Sequence, residues 1–428
     1  MKQLAGGIQW AVFLMASSIA APIAIAHVFG MDPGGTALFL QRTIFVLGIA
    51  GLLQAFFGHK LPINEGPAGL WWGIFVVYAG MVGVFYNTSG EALQALQSGM
   101  LYSGVLFLLL AAAGVISKMK ALFTPAITFT YLMLLILQLS GTFLKGMTGT
   151  ESAGDLLSIR TAAGSFIVLL VTFTAMKSSR GWLSRYAVLF SILIGWAVFA
   201  ILGLAPAVRH APGSWIELPR LFVFGPPVWD GGVAVTALFI TLLLIANLLA
   251  SVRVMETLLK QKYGQTGEDR IRQSSFVSGV NHLLAGAFSA IGPVPISGAA
   301  GFVAATGMAS IIPFIIGGVL IVIMTLFPAV MSVFAALPAP VAYAVTFAIF
   351  TNMVSMAFSE LDEDPDKYRA RKTAAIGLMT GVGIMFIPSA SFSGLPAVLA
   401  SVLSNGLITG TLAAIAVEQL SLRIRKKI

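Results

Sequence analysis

Long apolar runs dominate the chain, and short polar stretches separate them from one end to the other. Most runs contain about 20 residues, the length that crosses a bilayer as an α-helix. Few of them have a polar face, as is typical of helices surrounded by lipid and by other helices. The pattern predicts an all-α polytopic membrane protein. We place fourteen transmembrane spans at residues 8–28, 39–57, 66–86, 96–117, 123–144, 157–176, 183–204, 233–252, 276–292, 295–308, 309–330, 336–358, 373–388 and 394–420.

The composition excludes an ordinary soluble protein. The 428 residues are 58% hydrophobic and 10% charged, whereas soluble domains are nearer a quarter charged. Cysteine is absent, which excludes disulfides, thiolate metal sites and cysteine nucleophiles. The four histidines, His27, His59, His210 and His282, lack the spacing of metal ligands, and we expect them at the membrane interface. We therefore predict no metal site and no cofactor.

The basic residues set the predicted orientation. The net charge is +9, but Lys and Arg are distributed over the short loops instead of forming one patch, so we expect no nucleic-acid partner. With a cytoplasmic N-terminus and fourteen spans, five of the 25 Lys and Arg residues face outward and the other 20 face the cytoplasm. This bias predicts a multi-pass protein of the cell membrane with both termini in the cytoplasm. The outward residues are Arg42, Lys145, Arg160, Arg209 and Arg220.

Two apolar segments are interrupted by Pro and Gly, and they occupy corresponding places in the two halves of the chain. Residues 52–73 and 283–307 share Leu-Leu, Phe and Pro-Ile in the same order, and further on residues 66–69 align with residues 298–301. Such paired interruptions indicate the binding site of a transporter. Because unsatisfied backbone groups in lipid cost several kcal/mol, broken chain at this depth must be buried or line a polar cavity. We expect the broken spans 3 and 10 to meet near the membrane midplane.

The number of spans in each half predicts an inverted repeat. Seven is odd, so the second half must enter the membrane in the opposite direction to the first, about an axis in the membrane plane. We predict a first seven-span repeat at residues 1–208, an extracellular connecting loop at residues 209–232 and a second repeat at residues 233–428.

Several short motifs resemble the signatures of one transporter family. Residues 337–341, Leu-Pro-Ala-Pro-Val, are similar to the Ile-Pro-x-Pro-Val signature of the nucleobase–cation symporter-2 family, also called the nucleobase–ascorbate transporters. Further similar motifs follow the family order along nearly the whole chain. They lie at residues 7–9, 53–54, 61–66, 219–229, 393–396 and 404–406. The chain thus resembles the bacterial uracil and purine permeases, as a divergent member of the family.

The resemblance implies both a fold and an activity. The family fold has fourteen spans in two inverted seven-span repeats, divided into a core domain and a gate domain. Substrate binds between short strands in spans 3 and 10, beside span 8. Family members mostly import a nucleobase by alternating access, so the implied substrate is a purine of the xanthine or hypoxanthine type, or uracil. The implied coupling ion is a proton or sodium, and the implied assembly is a homodimer.

Three positions depart from the family pattern. Family members carry Gln-His in span 1, a glutamate in span 8 and a second acid in span 10. This chain has Gln9-Trp10, Asn247 and the Ile-Ser-Gly-Ala segment at residues 296–299 instead. Both carboxylates that serve binding and proton coupling in the family are therefore missing. Two alternatives stay open: an anion transporter of the same inverted-repeat fold, and a facilitative carrier without proton coupling.

An enzymatic activity is not expected. A membrane enzyme acting on lipids would need a cluster of His, Asp or Glu at a membrane face, and the sequence contains no such cluster. It also contains no Ser-His-Asp set and no phosphate-binding loop.

Glu65 lies inside the interrupted segment of residues 52–73 that forms the broken third span. An ionisable group within the membrane is costly unless it is paired, so it marks a functional site by default. We therefore predict Glu65 as the residue that couples transport to a proton. The alternative is a solvated glutamate in the cytoplasmic loop beside Lys60.

Asn247 lies midway through span 8, and Ser251 follows one helical turn later on the same face. An amide offers donors and an acceptor that suit the edge of a nucleobase. We predict that both residues bind substrate. The alternative is that they form interhelical hydrogen bonds, a common use of polar residues in membranes.

Residues of the two broken segments complete the predicted substrate site. Ser297, Gly298 and Ala299 would supply a hydroxyl and backbone N–H groups at the N-terminus of a half-helix, where polar or anionic ligands are attracted. Asn64 and Gly69 would lie on the opposite side. The alternative is that these small residues only permit close helix packing.

Trp10 and Trp71 are the aromatic candidates of the site. Either indole could stack on a planar base, because base–aromatic stacking contributes about 1–3 kcal/mol per base. Tryptophan is also enriched at membrane interfaces, which is the alternative explanation.

Overall fold

Apolar helices joined by short loops make up most of the computed structural model, as the hydropathy pattern predicts. The structure describes residues 2–114, 116, 124–150, 156–179, 183–184, 186–208, 215–265 and 268–425, and His210 lies outside them. The strands are β1 (Glu65–Pro67) and β2 (Pro293–Pro295). The helices are α1 (Lys2–Ser18), α2 (Ala20–Val28), α3 (Pro33–Phe56), α4 (Gly69–Ala79), α5 (Ser89–Ala112), α6 (Pro125–Thr148), α7 (Ile159–Met176), α8 (Ala187–Ile201), α9 (Gly231–Tyr263), α10 (Ile271–Ala287), α11 (Gly298–Thr306), α12 (Ile311–Thr325), α13 (Pro328–Ala335), α14 (Ala339–Asp362), α15 (Lys367–Met385), α16 (Ala397–Leu403) and α17 (Gly406–Arg425), with a 3-10 turn at Ser389–Phe392.

Within the described ranges, seven helices are long and apolar enough to cross a membrane, or eight if the bent pair α11 and α12, which meet at 118°, counts as one span. Shorter apolar helices, among them α4 and α8, lie between them. The seven are Gln3–Val28, Pro33–Phe56, Ser89–Ala112, Pro125–Thr148, Ile159–Met176, Gly231–Tyr263 and Ala339–Asp362. The chain is therefore a polytopic membrane protein.

Helix α9 is longer than the span predicted for it at residues 233–252. Its first turn is capped by Asp230, whose side chain accepts a hydrogen bond from Val233 N, and it ends at Gly264 in the left-handed conformation. Between position 252 and Gly264 there is no Gly or Pro, so the helix continues to Tyr263 and has 33 residues in total. Hydropathy marks where a helix leaves the apolar layer, whereas capping residues mark where the helix ends.

The helices form two packing groups. In the first group, α5 packs on α9 and α10, and α12 packs on α1 and α3, with both strands among them. In the second group, α6 packs on α14, α15 and α17, and α7 packs on α8 and α14. Contacts between the groups include α2 with α14 and α4 with α6. The half-helix α4 thus packs against the second group.

The two broken segments meet, as the sequence predicts. β1 pairs with β2 in antiparallel register, with Gly66 opposite Val294 at the centre of the pair. The half-helices α4 and α11 begin just after the strands, at Gly69 and Gly298. The alignment that set Gly66 opposite Gly298 is therefore wrong by three residues, because Gly69 is the residue that opens the first half-helix.

Glycine sets the distance between α15 and α17. A Cβ atom at Gly410 would lie 2.6 Å from the Gly377 carbonyl oxygen, and one at Gly381 would lie 2.6 Å from the Gly406 carbonyl oxygen. Helix backbones approach this closely only where side chains are absent, which is how small residues bring membrane helices together. The two helices consequently pack backbone against backbone.

We expect Gly410→Ala to destabilise the protein, because the added methyl overlaps a backbone carbonyl and overpacking of this kind costs about 1–3 kcal/mol. Gly383, also on α15, has no atom within 4 Å of its Cβ position, so Gly383→Ala is the matched control. The midpoint of thermal unfolding in detergent should fall for Gly410→Ala and stay equal or rise for Gly383→Ala. Equal midpoints for the two variants would contradict the close contact.

Candidate functional site

The strand junction, which we define as residues 64–69 and 292–298, is the centre of the candidate site. Outside the strands, Ala68 N donates to Gly292 O and Ile296 N donates to Asn64 O, each at 2.9 Å. Gly66 permits this approach, because a Cβ atom there would lie 2.7 Å from Ile296 Cγ1. The strand pairing satisfies backbone groups that a membrane could not hydrate. Irregular chain is thereby held in the interior of the protein.

The half-helices α4 and α11 place their N-terminal turns beside the strand junction. Gly298 is exposed, Ser297 and Gly69 are half-buried, and Ala299 is fully buried. The Ser297 hydroxyl makes no capping hydrogen bond. Of these predicted residues, Ser297, Gly298 and Gly69 can be reached by a ligand, while the Ala299 side chain packs in the interior. The N-termini of the two half-helices give this region a positive potential.

Asn247 and Ser251 lie on α9, on the face that contacts β2. Ser251 Oγ donates to Pro295 O at 2.8 Å and lies 3.4 Å from Asn247 Oδ1. Ser251 is 1% exposed, whereas Asn247 is half-buried. The structure therefore brings both residues to the strand junction, as predicted. The hydroxyl of Ser251 is already used to fix β2, and the Asn247 amide keeps its donors for another partner.

Glu65 and Asn64 are both buried at the start of β1. Glu65 is 1% exposed, and its Oε1 has no hydrogen-bond partner in the described part of the chain. The alternative of a solvated glutamate is therefore wrong. Asn64 Nδ2 donates to Ser17 Oγ of α1 at 3.4 Å, and Asn64 Oδ1 has no partner there either. An unpaired buried carboxylate costs several kcal/mol, so this position favours the neutral carboxyl group.

Trp10 and Trp71 are fully buried and packed. The Trp10 ring contacts Phe302 at 4.6 Å and Phe314 at 5.1 Å between centroids. Trp71 lies in the first turn of α4 beside Gly292, where a Cβ atom would be 2.6 Å from the indole Nε1. Neither indole has a free face in this conformation. The structure therefore places both in the protein interior, away from any membrane interface.

The interfacial position predicted for the histidines is wrong for His59 and His282, which are 4% and 1% exposed. Leu61 N donates to His59 Nδ1 at 3.0 Å, and burial lowers the pKa of His59 to about 3, so that its ring is neutral at physiological pH. His282 Nδ1 lies 2.9 Å from the Ser278 carbonyl oxygen, one turn earlier in α10. The error arose because closeness to the end of an apolar run does not show which way a side chain points.

The second helix group contributes residues that sequence reasoning missed. A Cβ atom at Gly69 would lie 3.6 Å from Leu135 and 3.7 Å from Phe350, so these side chains of α6 and α14 face the strand junction. Gln138 Nε2 donates to Gly73 O at 2.9 Å, and Gln138 Oε1 has no partner among the described atoms. A lone amide within the apolar run of α6 was the available signal. The site therefore lies between the two helix groups.

The arrangement is suited to binding a small polar heterocycle. Asn247, Ser297 and the backbone N–H groups after Gly69 and Gly298 offer donors and acceptors around the strand junction. Glu65 is the acid of the junction, and it belongs to a strand that the half-helices flank. The remaining lining is apolar, as is typical of small-molecule sites.

Comparison with known sequences identifies similar proteins along the whole chain. The family model described as Permease family, whose short name refers to xanthine and uracil permeases, matches residues 1–390. The Bacillus subtilis protein YwdJ, provisionally named as a purine permease, is 42% identical over 430 residues, which cover 100% of this chain and 98% of YwdJ. Uric acid permease PucK of Bacillus subtilis is 25% identical over 96% of this chain and 94% of its own. The xanthine permease of that organism is 23% identical over 97% and 92%.

Two solved structures share the fold. The transmembrane domain of the cyanobacterial bicarbonate transporter BicA superposes with a TM-score of 0.66 and 12% identity, and the match covers 96% of each chain. The murine anion transporter Slc26a9, in its inward-facing state, gives a TM-score of 0.66 and 12% identity over 99% of this chain and 68% of its own. At this identity the similarity shows the fold alone.

We expect Ser251→Ala to lower the thermal unfolding midpoint, because the Pro295 carbonyl loses its partner from α9 and a buried unsatisfied group costs about 1–3 kcal/mol. Asn247→Ala should leave the midpoint nearly unchanged, since the Asn247 amide makes no hydrogen bond to either described strand. Ser140→Ala is the matched control, because Ser140 is a half-buried helical serine bonded to its own helix. A Ser251→Ala midpoint equal to that of Ser140→Ala would show that the hydroxyl does not fix β2.

Proposed function

The chain belongs to the Permease family of xanthine and uracil permeases, and we propose from this premise that it is a secondary transporter that imports a nucleobase by alternating access. The observation that carries the proposal is the β1–β2 strand junction, with α9 on one side and the second helix group on the other. A transporter needs a central site that two moving parts can cover in turn. The chain is a permease and no enzyme.

We propose fourteen spans in two inverted repeats, residues 1–208 and 233–428, joined by an extracellular loop at residues 209–232. Helix packing supports this assignment. The contact between α1 and α12 in one place is matched by the contact between α9 and α5 in another. The contact between α3 and α12 is matched in the same way by the contact between α10 and α5. In the second group α7 packs on α14 as α15 packs on α6. These pairs follow if each helix of the first half has its counterpart in the second. The two packing groups then correspond to the core domain and the gate domain.

The proposed substrate is a purine of the xanthine or hypoxanthine type, with uracil as the second candidate. The names of the similar permeases, which include xanthine and uric acid, support a purine. Asn247 would form hydrogen bonds with the edge of the base, and Ser251 would hold β2 in position beside the base. The other proposed binding residues are Asn64, Gly69, Ser297, Gly298, Ala299, Trp10 and Trp71. The two tryptophans and Ala299 would have to be exposed by a conformational change.

A proton is the proposed coupling ion, and Glu65 is the residue proposed to carry it. Burial, the absence of an ion-pair partner for Glu65 among the described residues and the position in β1 support this role. Protonation of a buried carboxyl and binding of substrate at the adjacent strand would stabilise the same conformation, which is the requirement for coupling. Sodium is the second candidate ion.

Anion transport is the alternative function. The strand junction contains neither of the two acids expected from the family resemblance, and the N-termini of α4 and α11 both lie there. A site with donors and little negative charge suits an anion. The bicarbonate transporter BicA and the anion transporter Slc26a9 have the same fold. A facilitative carrier without an ion gradient is the other alternative.

The proposed location is the cell membrane with both termini in the cytoplasm, which the distribution of Lys and Arg supports. A homodimer is the proposed assembly. The lipid bilayer and the small-molecule substrate are the partners that this function requires.

Uptake of labelled xanthine, hypoxanthine, uric acid, adenine and uracil tests the proposal in cells that lack their own permeases. We expect saturable uptake of one purine that collapses when a protonophore is added. Asn247→Ala should raise KM about tenfold, as loss of a hydrogen bond to a buried ligand costs about 1.5 kcal/mol. If the cells took up bicarbonate or chloride but none of the labelled bases, the result would favour the anion alternative instead.

Glu65→Gln tests the coupling residue. The amide keeps the shape but binds no proton, so we expect uptake that no longer depends on external pH or on the protonophore, with substrate exchange across the membrane retained. Glu268→Gln is the matched control, because Glu268 is a surface acid with an 84% exposed side chain. An unchanged pH dependence in Glu65→Gln would assign proton coupling to another residue.

A further inference from the structure

The end of the segment that precedes α9 is attached to helix α5. We call residues 215–230 the linker strap. Gln94 Nε2 donates to Pro226 O and Gln97 Nε2 donates to Gly225 O, each at 2.8 Å. Tyr102 also donates its hydroxyl hydrogen to the strap carbonyl of Val228. The strap backbone is therefore held by polar side chains from one helix.

Other elements of the first helix group hold the same strap. Phe222 N donates to Ala287 O at the end of α10, at 2.8 Å. Glu217 N donates to Leu326 O just after α12, at 2.9 Å, and Gln41 Nε2 of α3 donates to Glu217 O at 3.0 Å. The strap is thus fixed to α3, α5, α10 and α12 together. It is an integral part of the first helix group.

The outward side chains of the strap are apolar although they are exposed. Trp215 is 92% exposed, Trp229 is 82% exposed and Leu218 is 71% exposed, and Leu221 and Val223 are exposed as well. Glu217 and Arg220 form an ion pair at 3.0 Å, and Asp230, the third charged residue of the strap, caps α9 by accepting a hydrogen bond from Val233 N. Water is a poor solvent for such a surface.

The level of the strap coincides with the edge of the apolar layer. Gln41 and Gln97 lie two residues and one residue after the starts of the spans predicted at 39–57 and 96–117. Ala287 and Leu326 lie where α10 and α12 end. The apolar surface continues below the strap along α12, through the exposed side chains of Ile323 and Val319. Tryptophan prefers this boundary, because its ring is apolar and its N–H is polar.

We propose that the linker strap is a lipid-binding surface whose outward side chains, Trp215, Leu218, Leu221 and Trp229, lie in the headgroup region of the bilayer. The hydrogen bonds on the inner side of the strap fix its backbone to the first helix group, so the apolar side chains on the outer side form a continuous part of the protein surface. The partner is the zwitterionic or anionic phospholipid of that leaflet, recognised by apolar contact and by indole N–H groups. This surface is independent of the substrate proposed above.

The absence of cysteine from the chain makes the test direct. Single variants Leu218→Cys and Trp229→Cys, in the full-length protein, carry a nitroxide spin label after reconstitution into vesicles of phosphatidylcholine and phosphatidylglycerol. Collisions with oxygen report lipid, and collisions with a water-soluble nickel chelate report water. Gly90→Cys, in the exposed first turn of α5, is the aqueous reference, and Val319→Cys, on the exposed face of α12, is the hydrocarbon reference.

We expect the oxygen-to-nickel collision ratio at both strap sites to shift from the Gly90→Cys value toward the Val319→Cys value. A ratio equal to that of Gly90→Cys would place the strap in water and overturn the proposal. Low collision rates with both reagents would show that protein covers the strap, and would overturn it equally. Because both labelled residues are more than two-thirds exposed, the variants should fold, and a single symmetric peak in size-exclusion chromatography confirms this before labelling.

Discussion

The need to pair every backbone polar group inside a membrane governs this structure. Two spans are broken by Pro and Gly, and each broken segment would leave N–H and C=O groups unpaired in lipid. The antiparallel pairing of β1 with β2, extended by the bonds of Ala68 and Ile296, is the solution. It requires that the two segments, about half a chain apart, come together in the interior. The half-helices that follow are then positioned beside one central site.

The chemistry of that site follows from what surrounds the strand pair. Ser251 anchors β2 to α9, and this leaves the Asn247 amide beside two helix N-termini in a region that contains little negative charge. Glu65 is buried on the strand itself. A site of this kind can bind a neutral base through hydrogen bonds or an anion through its positive potential.

The two helix groups differ in how they are held together. Close glycine contacts join α15 to α17 in the second group. The first group is tied by polar bonds as well, through the linker strap that crosses four of its helices. Contacts between the groups include the packing of Leu135 and Phe350 near Gly69 and the hydrogen bond from Gln138 to Gly73 O. A site between two rigid bodies can open to either side without loss of the packing inside each body.

The sequence by itself determined the membrane class, the broken segments and the polar residues of α9, because hydropathy, proline and glycine act locally along the chain. It also predicted Glu65 as a residue of the site. Only the tertiary structure decided that Glu65 is buried, with no hydrogen-bond partner for its Oε1 among the described residues. It also decided that Trp10 and Trp71 are packed in the interior and that Gly69 and Gly298 each begin a half-helix. It also brought Leu135, Gln138 and Phe350 to the site. Burial and register depend on which distant segments meet, and a local pattern carries no information about that.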